Sequence, residues 1–375
     1  MAAASPLPRV QRVGRLGSRA KAGSPDGDGP LISVIITAHD RRKYLMGAVA
    51  SALNQTLRRD LFEVIVAKNF ADPEMDGRLS ELGVKNVLTD EEGQGGKIAE
   101  ALRLADGAII SFLDDDDEFL PDKLEVVHRR FARDGDLVFY KNGIQFVDEE
   151  GRPLFSRAWR FHLRGPQGPE ALENVFIVGG SFNTSSITVR RSIIEDKLEY
   201  LRRIRSSSDT FMLYSAFLSG RGILAEPHIL TRYRLHGAST MYNVKSFDGY
   251  LRNRVMNRYG VLMDHIVMAI MCRGSRFHEN ALRGLIQAKV AYMIVHGLPG
   301  LSRGMPSPGL SPGEILYWVR FSLSRPSRAS RLRIALRSAY LLALGWMPGG
   351  LRLEVERLRY RRIRARYWRG ELHRD

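Results

Sequence analysis

The stretch Ala108-Ile-Ile-Ser-Phe-Leu-Asp-Asp-Asp-Asp-Glu-Phe-Leu-Pro-Asp-Lys123 decides the fold. Its first part, Ala108 to Leu113, is a short apolar run of the kind expected of a strand buried on both faces. Four carboxylates follow without a break, and a helix spanning Pro121 to Arg133 opens with proline at a position where its missing N–H costs nothing. Upstream, Leu31 to Ala38 and Phe62 to Ala67 read as strands, and Asp136 to Lys141 as another downstream. Between them lie helical stretches: Leu45, Val49 and Leu53 recur every fourth residue beside Ala48 and Ala52, and Gly95 to Leu104 follows the same logic. Strands alternating with helices of this length predict right-handed crossovers, a mostly parallel sheet, and a ligand crevice at the carboxyl ends of its strands. The acid run falls in that position.

Beyond Gly143 the pattern loosens. Strands are expected at Ser181 to Arg190 and Glu226 to Leu235, with a helix near Asp209 to Leu218 between them. From about residue 241 the texture is helical and arginine-rich, interrupted by a Pro/Gly/Ser stretch over Leu298 to Gly313. The predicted organisation is a disordered basic leader over 1–30, an α/β domain with a mostly parallel sheet over 31–240 and a helical basic region over 241–375.

The chain has 375 residues, 44% of them hydrophobic and 26% charged, which is the balance of a folded protein. A single cysteine, Cys272, excludes an internal disulfide framework and any cysteine-based zinc or iron–sulfur centre, and fits a reducing cytoplasmic setting. The leader has no apolar run long enough for a signal-peptide core, and no stretch has the roughly 18 uninterrupted apolar residues of a membrane span. The net charge of +16 is concentrated at the ends: +3 over residues 1–30 and +11 over residues 320–375, leaving +2 between. A cationic end on a near-neutral body suits an anionic membrane surface or a nucleic acid.

Four adjacent carboxylates repel one another, and a bound hard cation such as Mg2+ or Mn2+ would relieve that repulsion while bridging to a diphosphate. Acids also favour the start of a helix, which is the competing account of the same residues. Gly93-Gln-Gly-Gly-Lys97 offers backbone amides at a helix start and a lysine for phosphate, though Glu91 and Ile98 stand where a Walker A loop requires Gly and Ser or Thr. Asp209 opens an apolar helix and reads in isolation as an N-cap; His236 follows a strand end.

Taken together, these segments resemble the family 2 glycosyltransferases of the GT-A fold. Thr37-Ala-His-Asp-Arg41 echoes the family's Thr-x-x-Asn-Arg, Leu113 to Asp117 its Leu-Asp-x-Asp-Asp, Ala105-Asp-Gly107 its Ala-x-Gly, and Tyr233-Arg-Leu-His236 its Tyr-Arg-x-His. The resemblance implies a metal-dependent inverting transfer of a sugar, hexosyl or N-acetylhexosaminyl, from a nucleotide-diphosphate donor to a hydroxyl acceptor. By it, Asp114, Asp116 and His236 hold the metal and Asp209 is the catalytic base. Thr37, His39, Asp40, Lys68, Lys97, Asp115 and Arg234 line the donor. Where family members carry an acid pair after the second strand, this chain has Lys68-Asn69. A UDP-sugar donor, a glycan or lipid-linked acceptor and peripheral attachment to the cytoplasmic membrane face are the matching expectations. The rivals are a nucleic-acid-binding protein, suggested by Tyr360, Tyr367 and Trp368 among the terminal arginines, and a nucleotidyltransferase. The acid run in the crevice disfavours nucleic acid as a partner.

Overall fold

The computed structural model describes residues 31–236, 246–296, 309–323 and 347–367, with the single positions 298, 306, 339 and 343; the predicted leader lies outside them. Ten strands form one sheet: β1 (Ile32–Ala38), β2 (Phe62–Lys68), β3 (Lys85–Leu88), β4 (Ile109–Asp114), β5 (Glu118–Phe119), β6 (Leu137–Val147), β7 (Pro153–Arg157), β8 (Phe161–Leu163), β9 (Ile187–Arg190) and β10 (Gly222–Arg234). The main order is β3-β2-β1-β4-β9-β6-β10-β5, with β7 on β6 and β8 on β10. β3, β2, β1 and β4 are parallel, as are β6 and β10; β9 runs antiparallel between the two groups. The expected parallel ladder is therefore present, interrupted by one reversed strand and edged by short antiparallel ones.

Every residue of β1 and β2 is buried, because both faces of the sheet are covered. Alternate residues serve two cores. Ile35 and Ile65 pack with Ile98 and Leu102 of α3 (Gln94–Leu104) and with Phe211 and Tyr214 of the helix Ser208–Ser219. Val34, Ile36, Val64 and Val66 face Leu45 and Val49 of α1 (Leu45–Leu53) and Leu124 and Val127 of α4 (Lys123–Arg133). In-register pairing sets Thr37 beside both Ala67 and Asp114, so the carboxyl ends of β1, β2 and β4 finish level and form one edge of a crevice.

Two elements unpredicted from the sequence, α2 (Pro73–Glu81) and β3, complete this half. Asp72 caps α2 by accepting from Met75 N–H at 3.2 Å, with Pro73 at the first helical position, a start signal present in the sequence. The strand expected over Ser181 to Arg190 begins only at Ile187. Thr184–Ser186 is a tight 3-10 turn, preceded by Asn183 with φ of 70°, because this segment's side chains bond to the acid run instead of extending a ladder.

The remaining helices are α5 (Pro169–Ile177), α6 (Ser192–Glu195), α7 (Leu198–Leu201), α8 (Ser208–Ser219), α9 (Phe247–Met271), α10 (His278–His296), α11 (Pro312–Leu323) and a C-terminal helix, Gly349–Tyr367. Met268 and Cys272, at the end of α9, and Phe277 and Ala281, at the start of α10, join the α8 side of the sheet core. None of the described helices is long and apolar enough to cross a membrane.

The C-terminal helix packs on α9 and α10. Leu353 and Tyr360 meet Tyr250 and Leu251, while Val355 meets Ile286, Val290 and Ile294. Val355 therefore turns inward, away from Leu351 and Leu358, which stay exposed. Tyr360 stacks within 5.5 Å of Phe247 and 5.4 Å of Tyr250; the side chains of Ile363 and Tyr367 lie outside the described residues.

Candidate active site

At the end of β4 the chain turns sharply, with Asp117 N–H donating to the Asp114 carbonyl at 3.1 Å. The turn buries Asp115 and Asp117, each 1% exposed, and leaves Asp114 and Asp116 partly accessible at the crevice. Asp114 accepts from Gln94 Nε2 at 2.6 Å, and its N–H donates to Ser185 Oγ at 3.0 Å. Asp115 is bonded by the Arg41 guanidinium, whose Nη1 also lies 2.7 Å from Asp116. His236 Nε2 is 2.9 Å from the same Asp116 oxygen, and its ring packs on Tyr44 at 4.8 Å. Asp117 accepts from Ser185 Oγ at 2.6 Å, Asn183 Nδ2 at 3.1 Å and the Arg234 N–H at 3.1 Å.

The electrostatics follow from this crowding. Burial and the neighbouring acids push Asp114 well above the usual carboxylate range, and push Asp115 and Asp117 up to about 7. Asp116 goes the other way: burial opposes its charge, but the bond to His236 and the Arg41 charge outweigh burial and hold it low. The run thus carries more carboxylate than its cations balance.

Joined to the acid run through Asn183, Asp209 stands in the first turn of α8. It accepts from Thr210 N–H at 2.6 Å and from Asn183 N–H at 3.1 Å. Burial pushes its carboxyl up to about 6. The loop ahead of α8 is fixed by Asp264 of α9, whose buried carboxylate accepts from the backbone N–H groups of Arg205, Ser206 and Ser207 at 2.6, 2.9 and 2.8 Å.

The other predicted donor residues divide into two groups. Thr37 lies 3.4 Å from Gln94 Nε2, beside Asp114. Lys97 is buried at the start of α3, donating to the carbonyls of Glu91 and Glu92 at 2.6 and 3.1 Å and lying 3.1 Å from His39 Nδ1. Burial lowers the pKa of both Lys97 and His39. Asp40, at φ of 53°, exchanges bonds with Asn69. Lys68, by contrast, is fully enclosed, with its ammonium engaged by the Phe70 carbonyl at 2.6 Å and Asp76 at 2.8 Å. Arg234 is clamped by Glu118 and by the Glu149 carbonyl at 2.9 Å. Among the described residues no three His, Cys, Asp or Glu side chains converge as a metal cage; Asp116 and His236 meet, while Asp114 turns toward Gln94.

Arg41, Gln94, Asn183, Ser185 and Asp264 are the supports the sequence reading did not single out. Arg41 and Gln94 alone had a signal, as members of Thr37 to Arg41 and of Gly93 to Lys97.

Residues 33–196 match the sequence family described as "Glycosyl transferase family 2". An uncharacterized glycosyltransferase of Nostoc sp. is 29% identical over 230 residues, 57% of this chain and 68% of the relative. The putative glycosyltransferase EpsH of Bacillus subtilis is 26% identical over 234 residues, 59% of this chain and 66% of the relative. Among solved structures, a mannosyltransferase of Pyrobaculum calidifontis in complex with GDP-Man and Mn2+ aligns over 92% of this chain and 88% of its own, at 16% identity and a TM-score of 0.46. S. aureus TarS in complex with UDP-GlcNAc aligns over 71% and 86%, at 16% identity and a TM-score of 0.44.

Proposed function

We propose, from a chain that resembles the family 2 glycosyltransferases over residues 33–196, that it transfers a hexosyl or N-acetylhexosaminyl group from a nucleotide-diphosphate sugar, with UDP favoured, to an acceptor hydroxyl, with inversion. The observation that carries this reading is that two separate carboxylate sets share one bonding partner, Asn183. The acid run crowds the level ends of β1 and β4, and a separate carboxyl, Asp209, stands at the mouth of α8.

The donor set of the run consists of hard oxygens with unbalanced negative charge, which fits Mg2+ or Mn2+, and Asp114, Asp116 and His236 are the residues that would hold the ion. A divalent cation there would neutralise the charge that develops on the leaving diphosphate. Arg41 and Lys97 add fixed positive charge on the same side, and Thr37 and Gln94 orient Asp114. Asp209 accepts the proton of the acceptor hydroxyl as its oxygen bonds to the anomeric carbon and the bond to the diphosphate oxygen breaks. Attack opposite to the leaving group inverts the anomeric centre.

The acceptor is read as a glycan or a lipid-linked glycan met at the cytoplasmic membrane face. The support is the outer side of the C-terminal helix, where Leu351 and Leu358 are 57% and 55% exposed beside the exposed Arg357, Arg361 and Arg362.

The deciding experiment is nucleotide release from UDP-, GDP- and dTDP-sugars with and without Mn2+. Wild-type turnover should require the ion and vanish in excess chelator, and Asp116→Ala should lose orders of magnitude in rate with an unchanged melting temperature. Full turnover by Asp116→Ala, or in chelator, overturns the metal assignment; no release from any donor overturns the transferase reading.

A further inference from the structure

We propose that Asn183 is a positioning residue that sets the base Asp209 against the acid run; the proposal rests on the transferase reading above. Asn183 touches both carboxylate sets at once. Its backbone N–H donates to Asp209 Oδ2 and its side-chain Nδ2 donates to Asp117 Oδ2, each at 3.1 Å. Asp117 in turn bonds the Arg234 backbone and closes the turn of the acid run. A single residue therefore fixes the spacing between the group that takes the proton and the buried acid that anchors the turn carrying Asp114 and Asp116.

To make both bonds the backbone adopts φ of 70° and ψ of 113°, a conformation non-glycine residues avoid and that persists only where the surroundings enforce it. The enforcement is visible. Lys141, with no exposure, donates from beneath to the Phe182 carbonyl and to Ser186 Oγ at 2.7 Å. Lys123, equally enclosed, donates to the Ser185 carbonyl and lies 3.2 Å from Thr231 Oγ1. Ser186 Oγ donates to the Asn183 carbonyl at 2.8 Å. Burying two lysine amines is unfavourable for stability, and here their bonds go mainly to the carbonyls and hydroxyl of this one turn. The turn is also joined to the crevice from the other side, where Ser185 Oγ donates to Asp117 and accepts from the Asp114 N–H. Such support is far more than a connecting loop requires, and it holds the N–H that reaches Asp209 Oδ2 from outside α8, the Thr210 N–H on Oδ1 coming from the helix itself.

The two bonds can be separated by substitution. Asn183→Gly tolerates the positive φ and keeps the N–H for Asp209, but loses the amide to Asp117. Asn183→Ala loses the amide and also strains the backbone, so the N–H moves off Asp209. Losing a donor to the charged form of an acid raises its pKa.

The test uses the full chain and whichever UDP-, GDP- or dTDP-sugar the wild type hydrolyses, with Asp209 activating water in place of the acceptor. kcat, the pH profile and the melting temperature are measured for wild type, Asn183→Gly, Asn183→Ala and Asp209→Asn. Asn183→Gly should lose about tenfold in kcat, the value of one hydrogen bond to a charged group, with the acid limb of the profile unmoved. Asn183→Ala should lose more and shift the acid limb to higher pH. A wild-type kcat and limb in Asn183→Ala overturns the proposal, as does a fall in melting temperature with no change in kcat or limb for either variant. If Asn183→Ala does not fold, Asn183→Gly decides alone, and a wild-type kcat overturns the proposal. A wild type that releases no nucleotide, or an Asp209→Asn variant at full rate, removes the transferase reading and this proposal with it. Failure of the Asn183 variants against an active, Asp209-dependent wild type removes the proposal only.

Discussion

Asp209 illustrates how one side chain can be both a helix-opening residue and a candidate base. It accepts from Thr210 N–H in the first turn of α8, yet burial holds its carboxyl up to about 6, closer to neutrality than an exposed N-cap. Asp209→Asn keeps shape and donor binding but cannot take a proton, so transfer should fall by about 10² to 10⁴, the usual share of general-base catalysis. Because the base acts only when ionised, kcat of the wild type should fall as pH drops through about 6. A flat profile from pH 5 to 8 would locate the base elsewhere. The acids themselves were legible in the sequence: Asp114 to Asp117 follow a recognisable strand, and Asp209 sits in order between them and Tyr233 to His236. Gln94, Asn183 and Ser185 were not, because hydrogen bonds between segments 20 and 66 or more residues apart leave no local periodicity. The burial of Lys68 was not legible either, since nothing local shows that Asp76 of α2 turns back to bind it.

At the scale of elements, the α8 mouth depends on α9. The Asp264 carboxylate receives three backbone N–H groups from the loop 205–207 immediately before Asp209's helix. Asp264→Ala leaves those donors, of which the Ser207 N–H is buried, without their acceptor. We expect a stability loss of about 1 to 3 kcal/mol or more, read as a lower urea midpoint, together with reduced kcat as Asp209 moves. Normal kcat in a destabilised but folded variant would confine Asp264 to structure. The buried strands β1, β2 and β4 were legible because burial on both faces imposes apolar runs, whereas β3 and α2, which are mostly unburied, carry no such run. The segment 181–186 was misread as strand because it runs without a break into the β-branched residues Ile187 to Val189 of β9, whereas its own polar groups are partnered by the acid run and two buried lysines. β9 reverses direction for the same reason: the chain enters it from that turn, at the crevice edge.

Across the whole molecule, the charge asymmetry read from the sequence becomes a two-sided helix. Its inner side is committed to α9 and α10; its outer side presents Leu351 and Leu358 with Arg357, Arg361 and Arg362. Each basic residue near an anionic leaflet contributes about 1 kcal/mol. Reversing the three arginines to glutamate should abolish salt-sensitive co-sedimentation with anionic vesicles while sparing nucleotide release. Unchanged sedimentation, or preference of the wild type for RNA at equal ionic strength, would contradict the membrane reading. The inner side carries a further consequence. Glu356 has no exposure; Tyr250 Oη donates to it at 3.0 Å, Arg254 Nε pairs with it at 2.6 Å, and Arg359 joins them. An arginine-dominated helix with little apolar patterning could slide along its neighbour with small change in contact area. A single acid seated among cations permits only one register, so Glu356 acts as an address, specifying where the helix stops and which of its arginines are left facing outward.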